Sequence, residues 1–202
     1  GAGTPEERRF ETDYDANLYR ISQRRTYERR NGVNVLLMRS HWVYGPAFPG
    51  GPKALLARCE IDAQDSTSAA YQCSPTVAPP TDVAGVRRWV YSYCSSRSSD
   101  AQQHGCPGAG WLRGITDPRG SVTTYTYYTA ATGAGGSCNW GPANSDCHQA
   151  GDLYSIVNPA GQETTWLSYT CSGRPARQVD PNGTTTRLTY DGRDRLLLRE
   201  VL

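Results

Sequence analysis

The feature that most constrains this chain is a turn that occurs three times between Leu112 and Leu198. Asp117-Pro118-Arg119-Gly120, Asn158-Pro159-Ala160-Gly161 and Asp180-Pro181-Asn182-Gly183 share one chemistry. Proline at the second position pre-sets φ for a type I turn, and the Asp or Asn before it can bond the backbone two residues on. Glycine at the fourth position accepts a positive φ and forms the bulge that matches a hairpin's twist. Counting from that glycine, the third, fifth and seventh positions are Thr123, Tyr125 and Tyr127, then Thr164, Trp166 and Ser168, then Thr186, Leu188 and Tyr190. β-Branched and aromatic residues at period two mark a strand with one packed face. The second and third turns start 22 residues apart; the first and second start 41 apart, because extra residues lie between Tyr128 and Gly151. A period in the low twenties indicates a repeat architecture, here of β-hairpins. The strands entering the first two turns carry Leu112 with Ile115 and Leu153 with Ile156, whereas the third holds Pro175 and Gln178 in those places, so the pattern loosens there.

Two further motifs frame the repeats. Tyr190-Asp191-Gly192-Arg193-Asp194-Arg195-Leu196 closes the third copy, and Tyr14-Asp15-Ala16-Asn17-Leu18 stands near the start. Together with the turns they resemble the Rhs, or YD-repeat, family, whose unit is roughly Tyr-Asp-x-x-Gly-Arg-Leu followed by a strand and a Gly-bearing turn. The copy at Tyr190 places glycine early, the copy at Tyr14 lacks it, and the middle copies keep only turn and strand. The resemblance covers nearly the whole chain and is most specific after Leu112. It implies an all-β array of hairpins forming a curved, open, spiral-type sheet over residues 1–202, with insertions at about 62–82, 95–110 and 129–151. Bacterial members of the family form a shell around the C-terminal toxic domain of a secreted polymorphic toxin; the animal teneurins use a similar shell in adhesion. The partners so implied are neighbouring repeats of a parent protein and its toxin cargo.

Leu, Ile and Phe are sparse while Tyr, Thr, Gly and Trp are plentiful. An array stacks neighbours instead of closing one large core, so few aliphatics suffice. A net charge of +2 gives no reason to expect nucleic acid or an anionic membrane. No apolar run approaches the roughly 18 residues of a membrane span. Gly1-Ala2-Gly3 reads as a cloning remnant and Leu202 follows directly on a repeat motif, so the expectation is an excised piece of a longer protein.

Seven cysteines point to an oxidising compartment, hence to a secreted or cell-surface protein. Cys59 and Cys73, Cys94 and Cys106, and Cys138 and Cys147 each bracket an irregular segment, so three disulfides closing the insertions are expected, with Cys171 left as a free thiol. Loops of about 10–15 residues closed this way gain roughly 3 kcal/mol. The alternative, zinc held by these cysteines with His104 or His148, lacks the tight Cys-x2–4-Cys spacing and four ligands.

Phe10 to Ile21 reads as a hairpin. Thr26–Arg30 and Val33–Met38 form another about Asn31-Gly32, the strongest short hairpin signal. His41-Trp42-Val43-Tyr44 and Arg88-Trp89-Val90-Tyr91-Ser92-Tyr93 are near-copies of one strand, and Ala54 to Ile61 is read as a strand between them. The Arg24-Arg25 and Arg29-Arg30 pairs flank Glu28 on a solvated strand face. Asp117, Asp180 and Asp191 are carboxylates that turn bonding explains without hydrolytic chemistry. Asn182-Gly183-Thr184 matches a glycosylation sequon inside a turn that already accounts for it. No catalytic, cofactor-binding or metal-ligating residue is assigned. The aromatics read as cross-strand pairs joining repeats, each worth about 0.2–1 kcal/mol, in preference to a sugar-binding face. The function so indicated is a non-catalytic wall module; the second reading is an extracellular module that engages a glycan or receptor through its insertions. A repeat array that lacks its neighbours exposes edge strands and is open to edge-to-edge self-association.

Overall fold

The computed structural model describes residues 8–79, 84–131 and 147–202. They are nearly all β: fourteen strands and one four-residue helix, with every ladder antiparallel. The chain divides into two units. One comprises Gly1–Ala47, Pro52–Tyr91 and Thr116–Gly120; the other comprises Phe48–Gly51, Ser92–Ile115 and Ser121–Leu202.

The first unit is built on β1 (Arg8–Tyr14), β2 (Ile21–Arg30), β3 (Val33–Pro46), β4 (Lys53–Asp62) and β5 (Val86–Tyr93), each paired with the next. Asn31 and Gly32 take φ of 50° and 81°, as a two-residue hairpin turn that follows the strand twist requires. The strand read separately as His41–Tyr44 is continuous with Val33, so β3 is one strand of 14 residues. Paired arginines on β2 find carboxylates: Arg25 holds both oxygens of Asp13 at 3.0 and 2.8 Å, and Arg30 pairs with Glu28.

Side chains alternate between the faces of a strand, and β4 shows the consequence. Arg58 lies in register with Trp42 on β3 and Trp89 on β5, its guanidinium 5.9 and 5.1 Å from the two ring centroids. Such cation–π contacts favour the row Trp42–Arg58–Trp89. On the other face Ala57, Cys59 and Ile61 are all 0 % exposed. The chain leaving β4 folds back over them. Asp65 caps the helix α1 (Ser66–Ala69) by accepting from the Thr67 N–H, and the buried Ser68 hydroxyl donates to the Asp62 carbonyl at 2.6 Å. Cys73 is joined to Cys59 with Cα atoms 5.8 Å apart. The Arg88 guanidinium donates to the carbonyls of Ser74 and Val77 at 3.0 and 2.6 Å. The segment read as an irregular loop over 62–82 thus contains a capped helical turn and is fastened to the sheet.

The second unit holds β6 (Ser98–Ser99), β7 (His104–Cys106), β8 (Leu112–Thr116), β9 (Val122–Tyr128), β10 (Leu153–Val157), β11 (Glu163–Tyr169), β12 (Pro175–Val179), β13 (Thr185–Tyr190) and β14 (Leu196–Val201). Strands β8 to β14 follow one another in space in chain order, and β7 pairs with β6 and with the end of β9. The segment 95–110, read as an irregular insertion, therefore contributes two short strands. Among the described residues β1 pairs only with β2 and β14 only with β13, so the strand order is open and closes no barrel.

Candidate functional site

Each hairpin tip is an Asx turn. The Asp180 carboxylate accepts from the N–H groups of Asn182 and Thr184 at 2.9 and 2.8 Å; Asn158 accepts from Ala160 and Gln162 at 3.0 Å each; Asp117 accepts from Arg119 at 2.8 Å. Gly120, Gly161 and Gly183 return a backbone N–H to those residues' carbonyls at 3.0, 2.9 and 3.0 Å, with φ of 83°, 77° and 84°. At the opposite ends of the strands the same geometry recurs over Thr170–Arg174 and Asp191–Arg195. Gly173 has φ 81°, but the Tyr190 copy, whose glycine comes early, puts Asp194 in the left-handed position with φ 60°. Asp194 accepts from the Ser172 hydroxyl at 2.6 Å, linking these two turns. Hydrogen bonds from the Arg195 backbone, from its side chain and from the Arg193 backbone hold the Asp191 carboxyl below its ordinary pKa.

Between tips and ends runs a row of tyrosines. The Tyr127 phenol donates to the Leu112 carbonyl at 2.7 Å, the Tyr169 phenol to the Leu153 carbonyl, and the Tyr190 phenol to the Pro175 carbonyl at 2.9 Å. Leu112, Leu153 and Pro175 are the first residues of β8, β10 and β12. The same tyrosines sit in register with the first residue of the following outgoing strand: Tyr127 with Leu153, Tyr169 with Pro175, Tyr190 with Leu196. Each tyrosine is therefore a rung whose phenol closes its own hairpin while its backbone lies beside the first residue of the next. The first unit has a rung of the same kind: Tyr14 pairs in register with Ile21, the first residue of β2, and the Tyr44 phenol donates to the Ile21 carbonyl at 3.1 Å. Burial raises the pKa of Tyr127, Tyr169 and Tyr190 above the ordinary phenol value, most strongly at Tyr169, which keeps each O–H protonated and able to donate.

The insertions attach through rings. His104 stacks on Tyr154 and His148 on Tyr128, each with centroids 3.5 Å apart and planes within 13° of parallel. Tyr128 meets His104 and Tyr154 edge-on at 5.4 and 5.3 Å, so the four rings form one cluster. Burial lowers the pKa of His148, against the nearby Asp152, which raises it, and with His104, which lowers it further. Cys94 and Cys106 are joined with Cα atoms 5.8 Å apart, which takes both thiolates away from metal ligation. Cys147 is disulfide-bonded, while the expected Cys138–Cys147 pair falls partly outside the described residues because Cys138 does. Cys171 lies half-buried in the tight turn after β11.

Sequence reasoning found the turn residues and the Tyr-Asp motifs but missed the rungs and the ring cluster. Tyr127 and Tyr190 were legible as strand aromatics, whereas the period-two reading of the second copy fell on Ser168, because register shifts precede Tyr169; the acceptors were not legible, because a backbone carbonyl leaves no signature in side-chain identity.

The strands that carry these features coincide with a known pattern. Residues 172–201, spanning β12, β13 and β14, match the family model of the RHS repeat. This chain carries an Rhs repeat. The match supports assignment to the Rhs/YD-repeat family, a family of structural repeats that associate with neighbouring repeats in a parent protein. No curated protein matches the chain. Outside the matched Rhs repeat, the tips at Asp117 and Asn158 and the rungs at Tyr127 and Tyr169 reproduce its turn chemistry and its tyrosine contact. The disulfides Cys59–Cys73 and Cys94–Cys106 fit an oxidising environment. No helix among the described residues is long and apolar enough to cross a membrane.

Proposed function

We propose that residues 1–202 serve as one section of the wall of a secreted bacterial Rhs-type protein that encloses a C-terminal toxin domain. The observation that carries this reading is the tyrosine row: each phenol is spent on a backbone carbonyl of its own hairpin, while the tyrosine lies in register with the first residue of the next hairpin, so the aromatics brace the wall and hold successive repeats in line. A surface organised this way is mechanical and non-catalytic. Its partners are adjoining repeats and, inside the finished shell, the cargo. The test is protease protection of the parent protein. The segment downstream of the repeats should resist digestion while the wall is intact and become sensitive once the wall disulfides are reduced and the sheet is opened with urea. Digestion of that segment at the same rate with and without the wall would defeat the enclosure reading.

A second reading, adhesion to a glycan or receptor through the insertions, is favoured by the fixed placement of two of them. The segment after β4 is tied by Cys59–Cys73 and by Arg88, and the one after β5 by Cys94–Cys106 and the His104 stack. Replacing residues 95–110 by a tight turn would abolish binding to cells under this reading and leave it untouched under the first.

A further inference from the structure

Two Asn-Gly steps occur in the chain, Asn31-Gly32 and Asn182-Gly183, each at the tip of a hairpin. Such a step carries a reaction of its own. The glycine nitrogen can attack the asparagine side-chain amide, since glycine has no side chain to hinder the approach. The two tips are alike in access. All four residues are exposed, and nothing lies within 4 Å of the place a Cβ would take on either glycine. They differ in how the nucleophile is held. Gly183 donates its N–H to the Asp180 carbonyl at 3.0 Å, and the N–H groups of Asn182 and Thr184 on either side donate to the Asp180 carboxylate at 2.9 and 2.8 Å. Three consecutive amides are thus fixed on one residue. At the other tip the β2–β3 ladder closes at Arg30 opposite Val33 and leaves Asn31 and Gly32 outside it. Among the described residues neither the Gly32 N–H nor the Asn31 side-chain amide enters a hydrogen bond. Attack requires the tip to swing out of its turn conformation, and a tip held by fewer bonds opens more often.

We propose that Asn31 is a self-modifying site, converted to aspartate and isoaspartate in the folded protein while Asn182 is spared.

The Gly32 nitrogen loses its proton to solvent base and forms a bond to the Asn31 Cγ. The Cγ–Nδ2 bond breaks, and ammonia leaves with a proton returned from solvent. Water then opens the five-membered imide at either of its carbonyls. Cleavage at Cγ gives an aspartyl main chain, and cleavage at the backbone carbonyl gives the isoaspartyl form. In sum one amide and one water become one carboxylate and one ammonium ion, with no change of oxidation state. The isoaspartyl product routes the main chain through Cγ and lengthens it by one carbon. A two-residue turn has a fixed length, so the pairing of Arg30 with Val33 must shift or part. The new carboxylate follows Arg29 and Arg30 in the chain and lowers the net charge from +2. The tip of β2–β3 therefore records the age of the protein in its charge and its register, whether or not the wall encloses a cargo.

The full chain, incubated in mildly alkaline buffer, is sampled over time by peptide mapping with mass spectrometry, and an isoaspartate-specific methyltransferase marks the isomerised product. Asn31 is expected to convert about fivefold faster than Asn182, the factor that one hydrogen bond of ordinary net strength supplies. In urea the two rates should converge, because the unfolded steps share one chemistry. Asp180→Ala removes the carboxylate that holds Asn182 and Thr184, and should quicken conversion at Asn182 about fivefold without changing Asn31. Asn182 converting as fast as Asn31 in the folded chain overturns the proposal. So does a folded chain that keeps Asn31 intact while the chain in urea converts both.

Discussion

Strands β4 and β14 are both aliphatic, yet they end in opposite environments. In β4, Ala57, Cys59 and Ile61 are wholly buried; in β14, Leu196 to Leu198 are more than half exposed. The difference does not come from the strands. β4 is followed by a segment that returns across its face, closed by Cys59–Cys73 and fixed by Ser68 and Arg88, whereas among the described residues β14 has a partner on one side only. Hydrophobic composition sets what a strand can bury; the chain around it sets what it does bury. In the first unit a core is made by an insertion, and in the second the two strands of each hairpin are tied by a hydroxyl-bearing ring.

That contrast can be broken most directly at its apolar residues. Ile61→Ala removes a fully buried side chain and should cost about 2–5 kcal/mol in chemical denaturation, while Leu197→Ser should stay within about 0.5 kcal/mol. Equal costs at the two sites would show that the covering segment contributes nothing. Next in size, replacing Cys59 and Cys73 together by Ser opens the covering loop and should cost roughly 3 kcal/mol, with faster amide exchange along β4 as the local readout. A smaller change tests the other unit: Tyr169→Phe deletes the donor to Leu153 and should cost about 1 kcal/mol. Because the accepting carbonyl is left within the sheet, amide exchange should quicken in β10 and β11 and not in β4.

The gentlest effect is on pH dependence. Burial first, then the charges of Arg39 and Arg25, lower the pKa of His41 below the usual 6.5, and its Nε2 is buried without a partner. The unfolded chain takes up a proton near the ordinary value and the folded chain resists it. Stability is therefore full above that value and declines as pH falls toward the depressed folded value. His148 is shifted in the same direction, so His41→Gln should flatten the acid slope of the first unit and leave that of the second. Chemical shifts of the two imidazoles followed through a titration would check the order.

The tips were legible because a turn is local: Asp, Pro and Gly act on their own backbone, and their identities are enough to place the reversal. The capped turn α1 was missed, although Asp65 before Ser66-Thr67-Ser68 is a recognisable cap, because four residues carry no period. β6 and β7 were hidden for the same reason. The left-handed site at Asp194 was obscured by Gly192, which drew attention to the wrong place in the motif. The coverage of β4, the stacks on Tyr128 and Tyr154 and the rungs all join segments distant in the chain, and no single stretch encodes a meeting of two.

Pro175 shows what the rung contact permits. It stands where two other repeats have leucine, and it looks like decay of the pattern, yet Tyr190 bonds it as Tyr127 bonds Leu112. The rung asks that position only for an oxygen that every residue has, proline included. The two strands of a hairpin can then drift at this site without parting, and one repeat can be exchanged for another of quite different spelling so long as the tyrosine arrives on time. An architecture that recognises itself through its main chain can lengthen by duplication and afterwards forget how it was copied.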